Sequence, residues 1–232
     1  MTNVRTRAIA AMLGAALLAQ AAPLLAGSSI TPTAVQLHSA REIGQVTLFN
    51  GGTTPMVVQG RALLWTQTDG RDVHAETTDL IVAPAIIEIA PGHGQVFRVR
   101  LRGSMPAVEH AYRLQLEDIT PAEPGQGIGV RVRHDLPVVA SPAGVQPDLA
   151  LSTCVAPAGS GCLRVTNRGT GLAKVLSIGL SAPGGTSSIS APATVLAGAW
   201  HEWVYPAKSG AARSATLTTS AGPVTASLTP AG

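Results

Sequence analysis

Glycine and proline occur so often along this chain that long helices cannot dominate its fold. The 232 residues include 25 Gly and 17 Pro, and both residue types disfavour helix interiors, glycine by its backbone freedom and proline by its missing amide hydrogen. Charged residues make up only 12% of the chain, too few for the solvent faces of a coiled coil or a helical bundle. The sequence therefore predicts an all-β protein of short strands and many turns.

The first 26 residues have the features of a secretory signal peptide. Arg5 and Arg7 form a positively charged start, residues 8–19 are apolar, and small residues follow at candidate cleavage sites within 19–21 and 24–26. A transmembrane anchor is the alternative, but the apolar run is shorter than the ~20 residues that span a bilayer. We therefore predict export, cleavage of residues 1–26 and no stable membrane insertion afterwards.

Cleavage would change what the charge of the chain implies. The full sequence has a formal net charge of +3, which suits an acidic partner such as nucleic acid. Without residues 1–26, which hold two arginines and no acid, 14 basic and 13 acidic residues remain, a net charge of +1. The basic stripe Arg98, Arg100 and Arg102 also lacks interleaved aromatic side chains on which bases could stack. Nucleic-acid binding is therefore not expected.

The chain has two cysteines, Cys154 and Cys162. In the oxidising compartment that export implies, an even pair favours a disulfide. The seven residues between them include Pro157, Gly159 and Gly161, which suit a tight hairpin. Closing this loop would stabilise the fold by roughly 2.6 kcal/mol in the chain-entropy model. A redox role would need Cys-x-x-Cys at the start of a helix, so we predict a structural disulfide.

Residues 27–140 are predicted to form an immunoglobulin-like β-sandwich. Strand-like segments follow one another at a spacing of about 8–12 residues, separated by turn signals such as Asn50-Gly51. Phe97, Val99 and Leu101 alternate with arginines, which is typical of a half-buried strand. The first segment contains Pro32 and should therefore lie at a sheet edge. The predicted strands are 30–37, 44–49, 56–65, 80–82, 86–89, 96–102 and 112–116.

A second, smaller sandwich is predicted for residues 148–232. The preceding stretch, residues 141–147, is rich in proline and glycine without periodicity, as expected of an interdomain linker. Few large apolar side chains follow it, so the predicted disulfide would compensate for a small core. The predicted strands of this domain are 162–166, 174–180, 200–205, 215–219 and 224–228.

A separate alternating segment lies near the end of the first domain. Ile128, Val130 and Val132 share one face of an extended strand, whereas Gly129, Arg131 and Arg133 share the other. Such small apolar side chains can pack into the core of the first domain or fill successive pockets on another protein. The two interpretations are compatible, and the pattern alone leaves both open.

Several short motifs carry a resemblance to a known family. They are Gln45–Asn50, Pro55–Gln59 leading to Trp65, Ala83-Pro84, Ile89–Gly92, Val96–Arg100, Glu109–Leu114, Leu136–Val139, Leu163–Asn167 and Val195–Gly198 leading to Trp203. In order and spacing they resemble the periplasmic pilus-assembly chaperones, the PapD-like proteins of chaperone–usher systems. The Tyr-Arg-Leu sequence at 112–114 is similar to the divergent, archaic branch. The resemblance extends over essentially the whole chain after residue 26.

This resemblance implies a function and a partner. A pilin or fimbrial subunit is an immunoglobulin-like fold without its last strand, and the chaperone lends an edge strand that fills the exposed groove, called donor-strand complementation. By position, Ile128, Val130 and Val132 match the donor residues of the family. The resemblance further implies two sandwiches arranged around an interdomain cleft, a periplasmic location and delivery of the subunit to an outer-membrane usher.

The family also uses a basic residue in this cleft to bind the C-terminal carboxylate of the subunit. In the best-known branch an Arg and a Lys do so, but the matching positions here are Ala34 and Asp135. Arg113, which projects from the sheet face opposite its buried neighbours, is therefore the first candidate for the carboxylate anchor. Arg131 is the second.

No residue pattern predicts catalysis, a cofactor or a metal site. The six histidines lack metal-ligand spacing, and adjacent His134 and Asp135 would point to opposite faces of a strand. No serine lies in a Gly-x-Ser-x-Gly turn. We therefore expect a binding protein and not an enzyme. The alternative function is that of an exported immunoglobulin-like structural or adhesive protein.

Overall fold

The computed structural model of the protein describes residues 27–121, 131–207 and 210–228. All regular elements in these ranges are β-strands, which confirms the predicted all-β class. None of the described elements is a helix that could span a membrane. The strands are β1 (Ser28–Thr31), β2 (Val35–Leu37), β3 (Gly44–Asn50), β4 (Met56–Thr68), β5 (Arg71–Glu76), β6 (Leu80–Ala83), β7 (Ile86–Ile89), β8 (Gly94–Leu101), β9 (His110–Asp118), β10 (Arg133–Ala140), β11 (Leu149–Thr153), β12 (Ser160–Asn167), β13 (Ala173–Ala182), β14 (Gly185–Ile189), β15 (Ala193–Val195), β16 (Trp200–Pro206), β17 (Ser214–Thr219) and β18 (Gly222–Ser227).

Strands β1–β10 form the first sandwich. One sheet has the order β1-β3-β8-β6, and the other has the order β2-β10-β9-β4-β5 with β7 paired to β4. The core between them contains fully buried side chains such as Leu37, Val46, Phe97 and Leu114. Because side chains alternate across a strand, Arg98, Arg100 and Arg102 are exposed on the other face of β8 and beyond its end, as the sequence pattern predicts.

The first predicted strand, 30–37, is wrong in one respect, because it is two strands in different sheets. β1 pairs with β3, whereas β2 pairs in parallel with β10 in the opposite sheet. Pro32 lies between them and follows a cis peptide bond. Proline has no amide hydrogen to donate to a sheet ladder, which disfavours one continuous strand through this position. Both strands do lie at sheet edges, as the proline predicts.

Strands β11–β18 form the second sandwich, with sheets β11-β12-β16 and β14-β13-β17-β18 and with β15 paired to β13. Its core contains Leu163, Val165, Ile178, Trp203 and Leu217. The prediction missed β11, β14 and β15. Strand β14 is nearly all exposed and reads Gly-Thr-Ser-Ser-Ile, so it has no apolar alternation to detect.

A buried asparagine ends a strand in each sandwich. In the first, Asn50 donates from Nδ2 to the carbonyl oxygens of Thr54 and Ile89, each at 2.9 Å. In the second, Asn167 is fully buried; its Nδ2 donates to Gly171 O and Val195 O, and its Oδ1 accepts from the amides of Asp148 and Gly169. These side chains satisfy buried backbone groups in loops and at strand ends.

An apolar cluster joins the two sandwiches, and we call it the interdomain seam. Trp65 and Ala111 come from the first sandwich, Leu196 and Ala199 from the second, and Leu172 packs against them.

Polar contacts flank the seam. The Gln67 side chain donates to Thr194 O at 2.8 Å and accepts from Leu196 N at 2.9 Å. The Glu109 carboxylate accepts from Leu172 N, and Glu109 N donates to Thr170 O at 2.9 Å. Apolar packing and hydrogen bonds between backbone and side chains therefore both connect the sandwiches.

Candidate functional site

Strand β10 has an open edge, by which we mean the side of residues 133–137 that faces away from β9. β9 pairs with β10 along its whole length, but β2 pairs only with Val138–Ala140. No other described strand pairs with residues 133–137. Pro137 fits this position, because proline within sheets is largely confined to edges. Unpaired backbone donors and acceptors on such an edge can bind a further strand.

The three predicted donor residues precede this edge. Ile128 and Val130 lie outside the described residues. Val132 lies directly before β10, is 39% exposed and accepts at its carbonyl oxygen from Asp118 N at 3.1 Å. Val132 is therefore not a core residue of the first sandwich, and its backbone continues the β9–β10 pairing.

A hydrogen bond connects the open edge to the opposite sheet. Ser28 Oγ of β1 lies 2.6 Å from His134 Nε2 of β10, a contact between part-buried side chains. Burial lowers the pKa of His134, because removal from water disfavours the charged imidazolium. The folded protein therefore binds a proton at this ring less readily than the unfolded chain does.

Arg113, the first candidate for the carboxylate anchor, contacts Asp135 and Trp65, and Gln115 in turn holds Asp135. Its Nε donates to Asp135 Oδ1 at 2.6 Å, and Gln115 Nε2 donates to Asp135 Oδ2 at 3.1 Å. The guanidinium carbon lies 5.1 Å from the centre of the Trp65 ring. The Arg113 and Asp135 side chains are only 23% and 28% exposed. Arg113 is therefore a fixed, part-buried cation and not a freely solvated charge.

The strand register places Arg113 next to the interdomain seam. Trp65 pairs with Ala111, and the next pair on the same face is Leu63 with Arg113. Trp65 is 8% exposed, and its indole Nε1 is buried without a hydrogen-bond partner among the described residues. Farther from the seam, Arg61 and Glu117 form a second ion pair at 2.9 Å. Of the two cations, Arg61 and Arg113, Arg113 lies nearer the seam.

Arg131, the second candidate, lies elsewhere. It is exposed and lies two residues before Arg133. Arg133 pairs with Glu117, and Glu117 is four residues along β9 from Arg113. The structure therefore does not bring the two candidate arginines together.

Asp135 and Gln115 are site residues that the sequence did not identify. The sequence shows Asp135 as a position without the expected lysine and as a neighbour of His134, and it assigns no role to Gln115. In the structure Gln115 is only 7% exposed, and its Cα lies opposite that of Asp135. These two residues meet only through the β9–β10 register. That register depends on pairing between distant segments, so local sequence patterns do not show it.

Cys154 and Cys162 form the predicted disulfide, with Cα atoms 5.0 Å apart. The bond closes the turn between β11 and β12. Among the described residues, these two sulfurs and the Glu202 carboxylate are close enough to suggest metal ligands. Because the sulfurs are bonded to each other, they are not the thiolates that a metal ion would require.

Comparison with known protein families finds a match over about half of the chain. A family model described as "Pili and flagellar-assembly chaperone, PapD N-terminal domain" matches residues 27–146. A search of curated protein sequences gives no significant match.

Solved structures show the same fold. The chain is 21% identical to a chain of the CsuC–CsuE chaperone–tip adhesion subunit pre-assembly complex from the archaic chaperone-usher Csu pili of Acinetobacter baumannii, with a TM-score of 0.69 over 89% of this chain and 100% of that one. The class 5 fimbriae chaperone CfaA is 12% identical, with a TM-score of 0.65 over 88% and 100%. A chain of the Salmonella enterica SafA pilin–SafB chaperone complex is 17% identical, with a TM-score of 0.61 over 87% and 96%. These likenesses confirm the predicted two-domain fold.

Proposed function

Because the chain belongs to the family of pili and flagellar-assembly chaperones with a PapD N-terminal domain, we propose that it captures pilus subunits by donor-strand complementation and delivers them to an outer-membrane usher. The open edge of β10 carries the proposal, since residues 133–137 offer a backbone edge that no described strand occupies. Addition of a subunit strand to this edge would continue the sheet of the first sandwich.

The donor side chains would supply most of the attraction. We propose that Ile128, Val130 and Val132 fill successive pockets in the groove of an incomplete subunit. Each Val or Ile that is buried in this way contributes about 1.5–3 kcal/mol. Backbone hydrogen bonds along β10 would fix the register, and the 39% exposure of Val132 leaves this side chain available for such burial.

Arg113 is proposed as the anchor for the C-terminal carboxylate of the subunit. Its Nε is engaged by Asp135, but a guanidinium has further donors on its terminal nitrogens. A hydrogen bond that involves a charged group contributes ~1.5–3 kcal/mol when it is shielded from water. The position of Arg113 beside the seam would set how far a subunit strand extends along β10.

The same function fits export to the periplasm. We propose that residues 1–26 are the signal peptide, 27–140 the first domain, 141–147 the linker and 148–232 the second domain. The disulfide between Cys154 and Cys162 suits an oxidising compartment. Family membership disfavours the alternative of a structural or adhesive subunit, and the chaperone matches are consistent with a protein that is not an enzyme.

Substitution of a donor residue tests this function directly. We expect Val130→Asp to remain folded and soluble but to lose the pilin-like protein that co-purifies with the unchanged chain, because a carboxylate cannot enter an apolar pocket without a large desolvation cost. The measurement is mass spectrometry of proteins that co-purify from periplasm.

Val73→Asp is the matched control. Val73 lies on β5, is 42% exposed and belongs to the far edge of the sheet, so this variant should retain the subunit. Undiminished co-purification with Val130→Asp would contradict the donor assignment.

A further inference from the structure

Asp135 holds Arg113 in a geometry that affects any anion bound there. One Asp135 oxygen accepts from Arg113 Nε at 2.6 Å and the other accepts from Gln115 Nε2 at 3.1 Å. The carboxylate is therefore fixed between two side chains of β9. The terminal nitrogens of Arg113 have no hydrogen-bond partner among the described residues, so a bound acceptor would not compete with another group for those donors.

A second carboxylate bound to Arg113 would nevertheless interact with a cation whose charge Asp135 already balances. Both members of the pair are about three-quarters buried, so water screens their fields less than at an open surface. An anion on the terminal nitrogens is separated from Asp135 only by the thickness of the guanidinium. Repulsion from Asp135 therefore offsets a large part of the attraction to Arg113.

We propose that Asp135 is a built-in counter-carboxylate that weakens the grip of Arg113 on the C-terminal carboxylate of a captured subunit. The inference rests on the proposed function and assigns a regulatory role at the same site. Asp135 lies on β10 itself, so the open edge and the residue that limits anchoring belong to one strand. The result is capture that stays reversible, as a protein that hands its cargo onward requires.

The ion pair Arg61–Glu117 provides a matched comparison on the same sheet face. It has a similar distance, 2.9 Å, but lies farther from the seam along β9 and is more exposed. Neutralising Glu117 changes the net charge by the same amount as neutralising Asp135. A general effect of charge on binding would therefore appear in both variants, whereas competition at Arg113 would appear only for Asp135.

The experiment uses the full chain with Asp135→Asn. The probe is a synthetic peptide of alternating valine and threonine with a free C-terminal carboxylate, compared with the same peptide ending in an amide. Asparagine is close in size to aspartate, and its side-chain oxygen can still accept from Arg113 Nε. By calorimetry we expect about tenfold tighter binding of the carboxylate peptide and unchanged binding of the amide peptide, because a like charge beside the bound anion is removed.

Glu117→Gln should leave the binding of both peptides within about twofold of the unchanged chain. Equal or weaker binding of the carboxylate peptide by Asp135→Asn would overturn the proposal, as would an equal gain with Glu117→Gln.

Arg113→Ala separates failure of this inference from failure of the proposed function. One outcome is that the unchanged chain prefers the carboxylate peptide and loses that preference in Arg113→Ala, while Asp135→Asn gives no tighter binding. In that case the anchor role of Arg113 stands, and only the role of Asp135 is overturned. If the unchanged chain does not distinguish the peptides, the anchor role of Arg113 fails as well, and Asp135 has nothing to oppose. If neither peptide binds, the donor-strand function itself is contradicted and the inference falls with it.

Discussion

At the scale of single residues, Asn167 shows how one polar side chain stabilises several loops. It is fully buried and makes four hydrogen bonds to backbone groups before β11, between β12 and β13, and at the end of β15. Asn167→Ala would leave two amides and two carbonyls without this partner. We expect the free energy of unfolding to fall by about 3 kcal/mol, measured by urea denaturation.

Thr225→Ala is the control for Asn167→Ala. Thr225 also makes a side-chain hydrogen bond, to Thr216 at 3.0 Å, but on the exposed surface. Its loss should change stability by less than about 0.5 kcal/mol. Similar losses of unfolding free energy in Asn167→Ala and Thr225→Ala would contradict the conclusion that burial makes the Asn167 hydrogen bonds important for stability.

At the scale of elements, the contact between Ser28 and His134 joins β1 to β10 across the two sheets. Because burial lowers the pKa of His134, the unfolded chain binds a proton more readily than the folded protein. Stability from this residue is therefore present above the ordinary histidine pKa of about 6.5 and is lost as the pH falls below it. We expect the urea midpoint to fall from pH 7.5 to pH 5.5, and to fall less in His134→Gln.

The matched control for His134→Gln is His93→Gln, which alters an exposed histidine in the turn before β8. It should keep the pH dependence of the unchanged chain. An identical loss of stability on acidification in the unchanged chain and in His134→Gln would contradict the role of this contact.

Most elements could be predicted because their signals are local. The alternation of Phe97, Val99 and Leu101 gives β8 its buried face, and glycine-containing turns such as Asp69-Gly70 separate the strands. The division of the first segment between two sheets could not be predicted, nor could the contact of Asp135 with Arg113. Both depend on which strands become neighbours, and pairing between distant segments leaves no trace in local periodicity.

At the scale of the whole molecule, Gly70 brings the β4–β5 turn of the first sandwich against the second. Its φ is +70°, and a Cβ at this position would lie 2.4 Å from the ring of Trp200. The guanidinium carbon of Arg164 lies 4.2 Å from the centre of the same ring, and Arg164 pairs with Glu202 at 2.6 Å. The aromatic ring is therefore held on its own sheet while the turn packs against it.

Gly70→Ala should loosen the arrangement of the two sandwiches. The added methyl group must displace the Trp200 ring or the turn, and the positive φ adds strain of about 1 kcal/mol. We expect a broader distance distribution between spin labels placed one on each sandwich. Gly92→Ala is the control, because Gly92 has nearly the same φ, +72°, but nothing within 4 Å of an added Cβ. Equal broadening in both variants would show that the Trp200 contact does not fix the arrangement.

The open edge of β10 is also an aggregation hazard for the free molecule. A backbone edge that accepts a foreign strand can accept the same edge of a second copy, which is a common start of aggregation. Arg131 and Arg133 are exposed at the beginning of this edge. Parallel pairing of two copies would align these arginines with their equivalents, and like charges directly opposite one another destabilise a sheet. Repulsion would thus disfavour parallel self-pairing but not the addition of an uncharged strand, so these two arginines discriminate between a second copy in parallel register and such a strand.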